Sequence, residues 1–174
     1  GYPGRTNRYE VSYGIDLAIN ETNPAIVDIR TERLAIMKKH MDANKAVYLQ
    51  NTSRYASIAN YWKYFIGQTE QLKRLNVVGQ KAEEEKVFTA WSTKTNAGYN
   101  TLLADYEKMY AAYKPVAKQM YYYSEAFRTT AIARIGAAGE PLRAALKKGL
   151  GKDSIDFYVK SLTAARKAIL TDYN

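Results

Sequence analysis

The sequence predicts an all-α protein, an antiparallel helical bundle preceded by a short extended segment. Apolar residues recur at alternating spacings of three and four over long stretches, the period of one helix face. Only 4 Pro and 10 Gly occur in 174 residues, too few for a disordered or fibrous chain. Hydrophobic residues make up 47% of the chain, enough for the core of one ordinary domain.

Residues 1–14, GYPGRTNRYEVSYG, read differently from the rest. Turn residues are followed by Thr, Tyr and Val, which predicts a tight turn and an extended, strand-like piece. A lone strand has no partner here, so the expectation is that it belongs to a sheet outside this chain and that residues 15–174 form the helical domain. A first helix is predicted from Asn23-Pro24, with Asn23 as its cap, to about Met41 or Asp42, carrying Val27, Leu34, Met37 and Met41 on one face. A second starts near Asn44. Its Tyr48, Tyr55, Ile58, Trp62, Phe65, Leu72 and Leu75 form a stripe expected to be buried. A third spans Val78 to Lys94, with Val87, Phe88 and Trp91 expected inward. The fourth has the most regular pattern: Leu102, Tyr106, Met109, Tyr113, Val116, Met120, Tyr123 and Phe127 make a heptad seam that continues to about Ile135, with a kink expected at Pro115. Gly136, Gly139 and Pro141 are read as a connection, Leu142 to Lys148 as a short helix ended by Gly149 and Gly151, and Ser154 to Leu170 as the last helix.

Composition narrows the chemistry. With no Cys, disulfides, thiol nucleophiles and thiolate metal sites are excluded. The single His, His40, follows two lysines in a charged stretch and reads as a solvated side chain; a Ser-His-Asp triad within the chain would have to use it. One imidazole without a second imidazole or thiolate makes a poor metal site, and no metal or other cofactor is predicted. The net charge of +9 is dispersed: the first 90 residues hold 13 Lys/Arg and 10 Asp/Glu, the remainder 13 and 7. A nucleic-acid footprint would be clustered, so nucleic acid is not an expected partner. No apolar run approaches the roughly 20 residues of a membrane-spanning helix, and no signal peptide is visible. The chain starts at Gly1 and its helical pattern runs almost to the last residue, so the expectation is a piece of a longer protein. Tyr is abundant, with 16 copies, as suits amphipathic bundle walls or a groove.

The second helix has a further face. Ser53, Ser57, Asn60, Tyr64 and Gly67 also alternate by four and three. Ser, Asn and Gly are poor helix formers, and a solvated face would carry Lys and Glu instead. Two explanations fit: close helix–helix contact through small residues, or a shallow polar strip that hydrogen-bonds a substrate or partner. Asn60 is the most versatile member, with one acceptor and two donor hydrogens.

Two segments carry a family resemblance. GYPGRTNRY at Gly1–Tyr9 and RYASIANYWKYFIGQ at Arg54–Gln68, with NPAIVDIR before the latter, resemble the bacterial serine dipeptidyl-peptidases of the dipeptidyl-peptidase 7 and 11 type. Those enzymes join a chymotrypsin-like double barrel to an inserted helical domain over the active site. The resemblance is strongest over Gly1–Ser92 and weaker to Asn174. It implies that this chain is the helical cap with the strand leading out of the protease barrel of the same parent chain. The catalytic His and Asp would precede Gly1, the Ser would follow Asn174, and His40 matches none of them, so the chain alone is expected to be inactive. The helical-domain Asn that holds the substrate's free amino group matches Asn60, by its place in ANYW; Ser57 and Tyr64 beside it are the accompanying substrate-binding candidates. A periplasmic or cell-surface location is likewise implied. The chemistry is coherent: two extended residues span only about 7 Å, so an amine anchor at that distance from the nucleophile sets a dipeptide product. The alternatives are a Tyr-rich protein-interaction module and a nucleic-acid binder whose affinity falls steeply with salt.

Overall fold

Ser12, Ile15, Ile19, Thr22 and Ile26 stand three and four residues apart, and all five are buried. This row lies in the core of a computed structural model that describes residues 9–128 and 130–171. Helix α1 (Ser12–Leu17) passes through a π-helical turn (Ala18–Thr22) straight into α2 (Asn23–Ala43). Helix therefore begins inside the segment expected to be extended as far as Gly14. Val11 is its last extended residue (φ −79°, ψ 158°), Ser12–Gly14 are helical, and residues 1–8 lie outside the described set. Asn23 is not a cap either. It is helical (φ −63°, ψ −45°) inside a continuous path, and its side chain is buried.

The chain divides into two compact units, Gly1–Tyr122 and Tyr123–Asn174. In the first, Asn44 alone joins α2 to α3 (Lys45–Arg74). Its side chain accepts from the backbone N–H of Ala46 (2.8 Å) and Val47 (3.3 Å), capping α3. The two helices form an antiparallel hairpin, since partners retreat along α3 as they advance along α2. Asn23 bonds Gln68 and Thr69, Arg30 lies over the rings of Tyr61 and Phe65, and Thr31 meets Trp62. Tyr55, Ile58, Trp62, Phe65 and Leu72 are half-buried against this partner, while Tyr48 and Leu75 at the ends of the stripe are exposed.

Helix α4 (Val77–Thr95) follows a left-handed Asn76 (φ 47°). Its Glu85 takes the first turn of α1: the backbone N–H and the hydroxyl of Ser12 each donate to the carboxylate at 2.6 Å. A carboxylate there satisfies donors that a helix start leaves unpaired. Val87 and Trp91, expected inward, are exposed; the buried residue of α4 is Ser92, whose hydroxyl donates to Asn100 Oδ1 at 2.8 Å.

Helix α5 (Leu102–Tyr123) gives the largest departure. Leu102, Tyr106, Met109, Tyr113, Val116 and Met120 of the heptad seam are all exposed. The helix instead docks through Leu103, Tyr110, Ala117 and Tyr122, roughly a quarter-turn round, and runs through Pro115 without ending. Polar ties hold it to the amino-terminal helices: Tyr110 donates to Glu10 (3.0 Å), Tyr122 donates to Asp28 (3.0 Å), and Lys114 pairs with Asp16 (3.8 Å) and Glu21 (3.7 Å).

In the second unit a π-helical turn (Ser124–Arg128) leads to an extended Thr130 (φ −81°, ψ 150°), so the helical pattern does not run on to Ile135. Thr130 caps α6 (Ala131–Lys147), its hydroxyl accepting from Ala133 N–H at 3.3 Å. Gly136, Gly139 and Pro141 lie inside α6 and are not a connection. The bare backbone of Gly139 faces the Leu162 methyls of α7 (Lys152–Thr171), 3.8 Å from where its Cβ would stand. Gly149 (φ 65°) turns the chain between the two helices, and Ala145 and Ile169 are buried. Among the described residues there is no strand, and the all-α prediction matches the observed architecture.

Candidate functional site

The packed face of α3 fixes the orientation of the opposite one. Trp62 Nε1 donates to Thr31 Oγ1 at 2.9 Å, and that hydroxyl donates to the Val27 carbonyl at 2.7 Å. The Arg30 guanidinium sits 5.8 Å from the Tyr61 ring centre and 5.5 Å from that of Phe65, within cation–π range. NYWKY is thus split by function. Trp62 clamps the helix to α2, Tyr61 flanks the clamp, and Asn60 and Tyr64 fall on the outward side.

The polar strip is open. Ser53, Ser57 and Asn60 are exposed, and Tyr64 is 45% exposed. A methyl group placed on Gly67 would meet nothing within 4 Å. The strip is therefore not a close helix–helix contact among the described residues. Asn60 and Tyr64 stand one turn apart, about 5–6 Å between Cβ atoms, close enough for both to touch one small ligand.

Behind the strip runs a chain of hydrogen bonds that sequence reasoning missed. Asn23, 4% exposed, donates through Nδ2 to Gln68 Oε1 (3.1 Å) and Thr69 Oγ1 (3.0 Å). Gln68 Nε2 in turn donates to the Tyr64 hydroxyl oxygen at 2.9 Å. Gln68 was legible, since it lies eight residues after Asn60 and four after Tyr64 on the same helix face. Asn23 was not, because Asn-Pro reads as a cap.

A separate polar cluster surrounds Gly14. Tyr13 and Tyr110 stack with ring centres 6.5 Å apart, beside a cleft of about 160 Å³ that Asp16, Glu107 and Lys114 also line. Burial, reinforced by the hydrogen bond to Glu10, pushes the Tyr110 phenol up to about 12. Burial and then the Glu107 and Glu85 carboxylates raise Tyr13 as well. His40 is exposed near the end of α2, and among the described residues no group of three His, Cys, Asp or Glu has a geometry that could hold a metal. No helix among them is long and apolar enough to cross a membrane.

The family profile for peptidase S46 matches residues 1–167. The chain belongs to the peptidase S46 family. It is 39% identical over 128 residues to an Asp/Glu-specific dipeptidyl-peptidase of Flavobacterium psychrophilum, covering 72% of this chain and 18% of that protein. It is 37% identical over 138 residues to dipeptidyl-peptidase 7 of Porphyromonas endodontalis, covering 78% of this chain and 17% of the relative. An Asp/Glu-specific dipeptidyl-peptidase of Capnocytophaga gingivalis is 31% identical over 175 residues, 99% of this chain and 24% of its own length. The S46 chain therefore spans about a fifth of these relatives.

Proposed function

We propose that this S46 segment is the helical cap of a serine dipeptidyl-peptidase, lying over the active site of the parent's protease barrel. In this reading it carries no catalytic residue and holds the free amino terminus of a peptide substrate on α3. The observation that carries the proposal is the exposure of Asn60 on a helix face clamped from behind by Trp62 and Arg30. The Asn60 carbonyl accepts one ammonium hydrogen, and Ser57 and Tyr64 contact the same end of the peptide. Anchoring the amine one dipeptide length from the nucleophile makes the product a dipeptide, consistent with the names of the relatives. The apolar row on α5, exposed from Leu102 to Met120, supports a domain that meets further protein: contiguous apolar surface of this kind marks interaction sites. A Tyr-rich interaction module would show the same row, but would have no use for a polar strip on α3. A periplasmic or cell-surface location belongs to the same proposal.

The reaction is tested by digestion of a ten-residue peptide with the full-length parent and mass analysis of the products over time. The expected products are dipeptides removed successively from the amino end, with the amino-acetylated peptide left intact. Single amino acids, internal cuts, or equal cleavage of the acetylated peptide would contradict an amine-anchored dipeptidyl-peptidase.

A further inference from the structure

The chain of hydrogen bonds behind the strip has a direction. Asn23 Nδ2 gives its two hydrogens to Gln68 Oε1 and Thr69 Oγ1. With Oε1 occupied as an acceptor, the other end of the Gln68 amide is its NH₂ group, and this group faces the Tyr64 hydroxyl. An amide NH₂ can only donate, so the Tyr64 oxygen is an acceptor in that bond. The phenolic hydrogen is then left over. Tyr64 is 45% exposed, its ring held edge-on against Phe65 with centres 5.2 Å apart, and its hydroxyl lies on the open face one turn beyond Asn60.

We infer that Gln68, locked by the buried Asn23, is a positioning residue that makes Tyr64 an obligate hydrogen-bond donor toward a backbone carbonyl of the bound peptide. This rests on the substrate-binding reading of α3 and adds to it a division of labour. Asn60 accepts from the ammonium group while Tyr64 donates to a carbonyl oxygen next to it, so the strip matches the alternating polarity of a peptide's amino end. Without the lock, the Tyr64 hydroxyl could turn its hydrogen inward and present only lone pairs, which a carbonyl cannot use. Gln68 has a further consequence for sequence choice. A glutamate side chain has nearly the same shape but only accepts, so it would reverse the direction of the bond.

The test uses the full-length peptidase in four forms: wild type, Tyr64→Phe, Gln68→Glu, and the double variant. All are assayed for kcat and KM on a dipeptidyl chromogenic substrate, with melting temperatures measured alongside. Tyr64→Phe deletes the donor and should lower kcat/KM roughly 2- to 12-fold, the value of one ordinary hydrogen bond. Gln68→Glu should cost the same although Tyr64 is intact, because the introduced carboxylate captures the phenolic hydrogen. The loss should fall mainly on KM, as expected for a contact made in ground state and transition state alike. Once Tyr64 is replaced by Phe, Gln68→Glu should cost less than it does with Tyr64 intact, because the two changes remove the same hydrogen bond. Any long-range effect of the new carboxylate on the ammonium group, or any loss of folded protein, appears in both backgrounds and cancels from the comparison. Full activity of Gln68→Glu beside a weakened Tyr64→Phe would overturn the positioning role while leaving Tyr64 as a substrate contact. Additive losses in the double variant would also overturn it. Full activity of Tyr64→Phe would remove Tyr64 from the substrate site altogether, and the inference with it.

Discussion

Tyr110 shows how single side chains tie the amino-terminal helices to α5. Its hydroxyl donates to Glu10 across the bare backbone of Gly14, where a methyl group would collide with both the Glu10 carboxylate and the Tyr110 hydroxyl. Burial first, and the hydrogen bond to Glu10 second, favour the neutral phenol and raise it from the ordinary 10.0 to about 12. The direction of the pH effect follows by linkage. The unfolded chain loses this proton first, so the contribution is complete below pH 10.0 and is lost as pH rises to about 12. Other tyrosines and lysines titrate in the same range, so a difference measurement is needed. Urea midpoints compared between wild type and Tyr110→Phe should converge between pH 10.0 and about 12, because the variant lacks this share of the decline. Parallel curves would mean that Tyr110 titrates alike in the folded and unfolded chains.

At the scale of elements, the segment Ser12–Thr22 bears more of the core than any predicted helix face. Ile15, Leu17 and Ile19 are buried there, with Ser12 and Thr22. Ile19→Ala should therefore destabilise the chain by about 2–5 kcal/mol, the usual range for emptying a buried aliphatic site. A change of less than about 0.5 kcal/mol in urea unfolding would place Ile19 on the surface. The signal was present in the sequence, since residues 12, 15, 19, 22 and 26 have helical spacing. It was hidden by the turn residues before it and by Asn23-Pro24, which imitates a helix start. The hairpin α2–α3 and the position of α7 were legible from apolar period and from Asn44 and Gly149. Helix α5 was legible as a helix but not in its facing, because a regular apolar row shows only that something covers it, not that the cover lies in the same stretch of chain. Helix α6 was misread for a local reason: Gly and Pro are strong breakers in isolation, yet here they lie inside a helix whose Ala145 is buried and which packs beside α7. At the candidate site, the strip from Ser53 to Gly67 could be read from poor helix formers in a row. Its wiring to Asn23 could not, because the two residues are 45 positions apart where Asn23 meets Gln68.

On the scale of the whole molecule, the first helical unit presents exposed apolar residues on α4 and α5, among them Val87, Trp91, Met109 and Met120, and an open polar strip on α3. The chain matches a peptidase family over residues 1–167 and spans about a fifth of its relatives' length; in the proposed reading its surfaces belong to a larger machine. The central claim is that Asn60 reads the amino terminus of that machine's substrate. Its most direct measurement is kcat/KM and melting temperature for Asn60→Ala in the full-length peptidase, using free-amine dipeptidyl substrates. A hydrogen bond to a charged group contributes about 1.5–3 kcal/mol, so kcat/KM should fall roughly 10- to 150-fold. The melting temperature should stay put, because Asn60 is exposed. Unchanged kcat/KM, with or without a lower melting temperature, would contradict the amine-anchoring role.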